Sequence, residues 1–183
     1  MRVLVTGTTG GIGGAVRAAA LACGWEVAEV NRGAFDAPLP PGPFDALVFA
    51  TGTCPVKPLA ATTDEVLAAT FAVNCGLFVK LLRRIVAERL YAPGGMKALA
   101  VSSVSAIEGW AGGTAYCASK GALSAACRAL DAELRPRGIS VRAIEPRYVR
   151  TRMFDACAGR MGVDPALAQP PEELAVGILE ALA

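Results

Sequence analysis

Arg2-Val3-Leu4-Val5-Thr6-Gly7-Thr8-Thr9-Gly10-Gly11-Ile12-Gly13 opens the chain with five residues of strand character that run through a glycine-rich turn into an apolar segment of helical period, Ile12 to Cys23. A strand feeding a helix in this way begins a parallel β-α-β unit. Gly7, Gly11 and Gly13 fall where the chain must turn sharply and present backbone N–H groups at a helix N-terminus. Unpaired amides there, with the positive end of the helix dipole, suit a diphosphate. Only glycine lets phosphate and strand approach such a loop closely. A turn chosen merely for flexibility is the plainer reading, but the position between a strand and an apolar helix argues against it. Thr9 and Ile12 belong to the same loop and are further candidate contacts.

Working outward, apolar runs of strand length alternate with longer segments of helical period. Trp25 to Val30, Ala46 to Ala50, Ala98 to Ser102 and Ile139 to Ile144 read as buried strands. Thr62, with Glu65 three residues on, resembles a capping box for a helix running to about Leu90. A second long helix spans Thr114 to Leu134, stopped by Pro136, and Glu172 to Leu182 makes the last. Pro38, Pro40, Pro41 and Pro43 forbid a helix between Phe35 and Phe44, leaving a tight crossing with a vestigial strand around Asp36. Residues 152–169 are irregular and read as a lid. The expected fold is one α/β domain over residues 1–183, a Rossmann-like doubly wound parallel sheet of about six strands with helices on both faces.

Composition narrows the function. A 183-residue chain suits one core and buries roughly 70% of its unfolded surface. Net charge is +2 with signs interspersed, unlike the basic footprint of a nucleic-acid binder. Six irregularly spaced cysteines and no histidine disfavour zinc and haem sites. The start of the chain runs straight into a strand, so a cytoplasmic protein with reduced thiols is expected. No unbroken apolar run approaches the roughly 20 residues of a membrane helix, so no membrane association is expected.

The second strand ends in Glu29-Val30-Asn31-Arg32, where the adenosine ribose of a bound dinucleotide would lie. An NAD-selective site places a carboxylate there for the ribose hydroxyls. Asn31 followed by the Arg32 guanidinium favours a 2′-phosphate instead, hence NADP(H) over NAD(H). Arg32 as a solvated surface cation is the plainer alternative.

Tyr116-Cys117-Ala118-Ser119-Lys120 carries the proton chemistry. Reducing a carbonyl requires a proton on oxygen as hydride reaches carbon. A tyrosine, with a reference pKa near ~10, is brought toward working pH by a neighbouring ammonium. Four residues apart on a helix, Tyr116 and Lys120 share a face. Such a pair is common by chance, and specificity comes from Ser103 at the end of a parallel strand, where its hydroxyl can hold the substrate oxygen. Ser102 and Ser105 are neighbours that the residues alone do not separate from it.

Over about residues 1–153 the chain resembles the short-chain dehydrogenase/reductase family. Thr6-Gly7-x-x-x-Gly11-x-Gly13 is similar to the family's cofactor loop, Asn74 in Phe-Ala-Val-Asn to its mid-helix asparagine, and Ser103, thirteen residues before Tyr116, to its serine. Tyr116 and Lys120 match its catalytic pair. The resemblance implies that Tyr116 is the general acid/base, that Lys120 binds the nicotinamide ribose and lowers the tyrosine pKa, that Ser103 orients substrate, and that Asn74 holds a water in a proton relay. It also implies cofactor contacts from Ala50, Thr51, Gly52, Pro146, Val149 and Thr151, with Asp36 beside adenine. Two elements depart from the pattern. Phe49-Ala50-Thr51-Gly52 replaces Asn-Asn-Ala-Gly, keeping only the glycine, and Pro146-Arg147 replaces Pro-Gly, so that Arg147 either reorders that loop or faces the substrate. No seventh strand is expected.

These readings imply an NADP(H)-dependent oxidoreductase acting on a small-molecule carbonyl or alcohol. The alternative is a non-catalytic NADP(H)-binding redox sensor or assembly module, motivated by the two altered elements; a nucleotide-sugar epimerase would need more chain beyond Thr151. The apolar segments 63–90 and 114–134 are expected to pair as a homodimer more readily than a homotetramer. Met153, Phe154 and Met161 suggest a partly apolar ligand or else pack against the protein itself.

Overall fold

The computed structural model describes residues 1–183. Its centre is a five-stranded parallel sheet of β1 (Arg2–Thr6), β2 (Glu26–Val30), β3 (Ala46–Phe49), β4 (Met96–Val101) and β5 (Ile139–Ile144), in the order β2-β1-β3-β4-β5. Pairing register aligns Ala28, Leu4, Leu47, Ala98 and Val141 in one row. Because side chains alternate along a strand, this row and its neighbours face one side while Val3, Val5, Val48 and Leu99 face the other. Two cores result. The first lies under α3 (Leu77–Ala87) and α4 (Thr114–Leu134), which supply Phe78, Leu81, Leu82, Ile85 and Leu123. The second lies under α1 (Gly11–Ala22) and α6 (Pro171–Leu182), which supply Val16, Ala20, Ile178 and Leu182. Burial on both faces is why the strands read as unbroken apolar runs.

The sheet has five strands rather than six. Around Asp36 the prolines remove ladder donors, and the segment is held by side chains instead. Arg84 donates to the carbonyl oxygens of Phe35 at 3.0 Å and Ala37 at 2.8 Å, while Phe35 itself plugs the first core. Asp36 pairs with Lys80.

The long helix begins one residue later than its expected cap. Thr63 Oγ1 accepts from the Val66 N–H, whereas the Thr62 hydroxyl donates back to the Pro58 carbonyl at 3.1 Å. α2 (Asp64–Phe71) and α3 are joined by one wide π-type turn, Ala72–Gly76, with buried Asn74 at its centre. Taken as one helix, Asp64–Ala87 has the length and composition of a membrane span, a correction to the expectation from unbroken runs; here its Phe78, Leu81, Leu82 and Ile85 pack on the sheet. It ends before Leu90, with Arg89 in the left-handed region at φ 52°. α4 has the expected bounds.

Residues 152–169 are more ordered than their pattern suggests. α5 (Arg152–Met161) is capped by Thr151 Oγ1, which accepts from the Phe154 N–H at 3.2 Å, and stops at Gly162 with φ 67°. Phe154, Ala158 and Ala168 form a third, small core against Tyr148 and Val163. The two ends of the segment are tied by Arg150 N–H to Gln169 O, 2.9 Å, and Gln169 N–H to Tyr148 O, 3.0 Å.

Candidate active site

A cleft of about 400 Å³ opens at the carboxyl ends of β1, β3 and β4, the usual ligand side of a parallel sheet. Gly7, Thr9, Gly11, Ile12 and Gly13 form its floor. The glycines are required by space. A Cβ on Gly13 would stand 2.3 Å from Gly7 O, on Gly7 2.7 Å from Ala50 O, and on Gly11 2.5 Å from Thr151 Cγ2. Gly7 also has φ 69°. This bare cradle at the N-terminus of α1 fits a dinucleotide's diphosphate.

Ala50, Thr51 and Gly52 form the opposite wall. The threonine-bearing replacement for the asparagine pair is braced: Thr6 Oγ1 accepts from the Ala50 N–H at 3.1 Å and from the Thr51 hydroxyl at 3.0 Å. Behind Gly52, Asn74 accepts from the Thr53 N–H at 2.8 Å and donates to Thr53 O and Ser119 Oγ, both at 2.9 Å. Asn74 thus locks that wall to α4 and lines neither cavity.

Arg32 reaches into the cleft, its guanidinium donating to Gly52 O at 3.2 Å. Asn31 does not line the cleft. It accepts from the Thr8 N–H at 2.9 Å and donates to the Thr8 hydroxyl at 2.8 Å, bracing the glycine loop, while that hydroxyl donates to Glu29. This hydroxyl, and then Arg17, hold the Glu29 carboxyl below its ordinary pKa. Asp36 also stands outside the cleft lining, paired with Lys80. Arg152 and Met153, at the start of α5, line the cleft without having been singled out as cofactor contacts; only the folding of 152–161 into a helix aims them there.

A second cavity of about 90 Å³ adjoins the first and shares Tyr116, Ile12, Ser102, Thr151 and Met153 with it. Ser103, Pro146 and Val149 line this cavity, and Arg147 is at its edge, half-paired to Glu108 at 3.3 Å. Tyr116 therefore stands where the cavities meet. Lys120 lies one turn on, its ammonium 5.7 Å from the phenol ring centroid and donating to Val101 O at 2.8 Å. The Ser102 hydroxyl donates to Lys120 O at 3.1 Å, so α4 is pinned to the end of β4. That bond separates the serines: Ser102 is structural, and Ser103 faces the phenol.

Burial pushes the Tyr116 phenol up, and the Ser103 hydroxyl pulls the other way. Burial also pushes the Lys120 ammonium down to about 8. Burial outweighs any lowering of the phenol by Lys120 here, where one ammonium N–H is held by the Val101 carbonyl and Lys120 lines the cleft.

A family model described as enoyl-(acyl carrier protein) reductase matches residues 26–171. L-xylulose reductase from Bos taurus is 32% identical over 133 residues, covering 72% of this chain and 52% of that protein. Short-chain reductase protein NovJ from Streptomyces niveus is 33% identical over 138 residues, covering 74% and 52%. The chain thus spans about half the length of these curated relatives. An oxidoreductase of the short-chain dehydrogenase/reductase family from Burkholderia thailandensis superposes with a TM-score of 0.79 at 22% identity, covering all of this chain and 85% of that one. With sheet order, glycine cradle and the Ser103-Tyr116-Lys120 arrangement in hand, the chain belongs to the short-chain dehydrogenase/reductase family.

Proposed function

We propose that the protein is an NADP(H)-dependent oxidoreductase that interconverts a carbonyl and an alcohol at Tyr116. The observation that carries this is the position of Tyr116, a buried phenol shared by an open cleft with a diphosphate cradle and a small cavity beside it. The glycine loop and Arg32 would hold the phosphate half of the dinucleotide, and Lys120 with Thr151 the nicotinamide half. When bound, the reduced nicotinamide supplies hydride to the carbonyl carbon. Tyr116 gives its proton to the carbonyl oxygen, Ser103 holds that oxygen by its hydroxyl, and Lys120 stabilises the phenolate left behind. Asn74 keeps the wall at Thr53 in place and joins it through Ser119 to the carbonyl of Tyr116, 2.7 Å from that hydroxyl. Arg32, a cation that reaches into the cleft and would meet a 2′-phosphate, supports NADP(H) over NAD(H). Phe71 and Val79, apolar and partly exposed on the long helix, support a homodimer.

The test is Tyr116→Phe. NADPH oxidation over a carbonyl panel should fall by at least about 100-fold, the scale of a lost general acid, with NADPH binding retained. No turnover by well-folded wild type across the panel, with binding intact, would favour a non-catalytic NADP(H)-binding sensor or assembly module.

A further inference from the structure

We infer that the 90 Å³ cavity beside Tyr116 selects a small, apolar carbonyl compound whose arms carry no hydroxyl groups. The inference rests on the oxidoreductase reading and concerns the walls of the same site. Beside Ser103 and Tyr116, the cavity is lined by Cys54, Cys157, Met161, Phe154 and Tyr148. Sulfur and aromatic carbon pack well against methyl and methylene groups and offer little to a hydroxyl.

The polar groups nearby already hold partners within the protein. Ser105 Oγ accepts from Trp110 Nε1 at 3.2 Å, and Thr151 Oγ1 from the Phe154 N–H at 3.2 Å. The Cys157 thiol donates to Cys54 O at 3.8 Å, and Arg147 is paired with Glu108. Pro146 O accepts from the Val104 N–H at 3.0 Å. Ser103 and Tyr116 can together hold a carbonyl oxygen, Ser103 through its hydroxyl proton because its oxygen accepts from the Ser105 N–H at 3.1 Å. A hydroxyl on an arm of the substrate would exchange water for a wall rich in sulfur and aromatic carbon. Size acts in the same direction. At about 90 Å³ the cavity is far smaller than the adjoining cleft of about 400 Å³, which favours short arms. The walls are also set in advance, because α5 packs on its own core of Phe154, Ala158 and Ala168. L-xylulose reductase, among the relatives, is named for a polyhydroxylated ketone, a different class from the substrate inferred here.

Butan-2-one and 1,3,4-trihydroxybutan-2-one share a four-carbon skeleton and a ketone at the same position, and they separate the possibilities. With NADPH, the wild-type protein should favour butan-2-one in kcat/KM by at least about 100-fold, the discrimination an apolar pocket achieves against an added hydroxyl. In Tyr116→Phe loaded with NADPH, saturation-transfer NMR should detect butan-2-one and not the trihydroxy ketone. Met161→Ala should shift preference toward octan-2-one over butan-2-one by about tenfold. Equal or better turnover of the trihydroxy ketone overturns the inference and leaves the oxidoreductase reading standing. Binding of butan-2-one without turnover of any carbonyl by wild type overturns the oxidoreductase reading and leaves the selectivity of the cavity standing. Failure of butan-2-one to bind, or an unchanged chain-length preference in Met161→Ala, overturns the inference.

Discussion

Lys120 shows what the site asks of a single residue. Its ammonium is buried and its pKa is pushed down to about 8 from the ordinary 10.5. Between those values the unfolded chain binds the proton and the folded chain does not, so stability attributable to Lys120 rises as pH increases from 8 to 10. Urea unfolding of wild type and Lys120→Met should show the difference between them moving in favour of wild type by about 1–3 kcal/mol across that window; a difference independent of pH would contradict the burial. The comparison with the variant matters because the raised phenol of Tyr116 works in the opposite sense at higher pH. Arg32 is tested by ligand binding. Arg32→Ala should weaken NADPH about tenfold or more by fluorescence titration and leave NADH nearly unchanged, the loss of one charge-assisted contact; equal weakening would remove the basis for NADP(H). Both residues were legible in the sequence because motif spacing places them. The partner of Asn31 was not. Whether that amide meets a ribose or Thr8 depends on the approach of two segments 23 residues apart, which local pattern does not encode.

Elements with a strong apolar period and unambiguous stops were readable, and α4 begins at Thr114 and ends at Leu134 as its pattern states. Ambiguity arose where two adjacent residues suit one role. Thr62 and Thr63 can each cap a helix, and the selection of Thr63 follows from Thr62 closing the preceding turn at Pro58. α5 was hidden because it rests on the side of the sheet's end rather than on the main cores, so its apolar stripe is short. The end of α3 offers a stability test. Arg89 adopts φ 52° while the Leu90 N–H returns to Ile85 O at 2.9 Å, a helix stop that glycine fills without strain. Arg89→Gly should stabilise the protein by about 0.5–1 kcal/mol, the left-handed strain relieved less the added freedom of the unfolded chain. The readout is a higher urea midpoint at unchanged slope.

At the scale of the whole molecule, the doubly wound plan was readable from alternating segments, and the strand count was not, because proline density near Asp36 leaves a connection that side chains support in place of a ladder. Assembly is the matching prediction. Phe71 and Val79 are each 37% exposed on the outer side of the long helix. Sedimentation should give a mass twice the 18.7 kDa of one chain, and Val79→Glu should shift it toward the single-chain value; a wild-type monomer would refute the homodimer. The wide turn at Ala72–Gly76 sets a rule for how this chain can vary in length. A π-type turn carries one residue more than an α turn, so losing one residue there would turn it into plain α-helix and leave Phe78 and Leu82 on the sheet, while Asn74 would lose its place at the centre of the turn. An α-helix advances about 100° per residue, so the same loss within α3 would rotate everything downstream by that angle and carry its apolar face off the sheet. Outside the wide turn the residue count of this helix is fixed by phase.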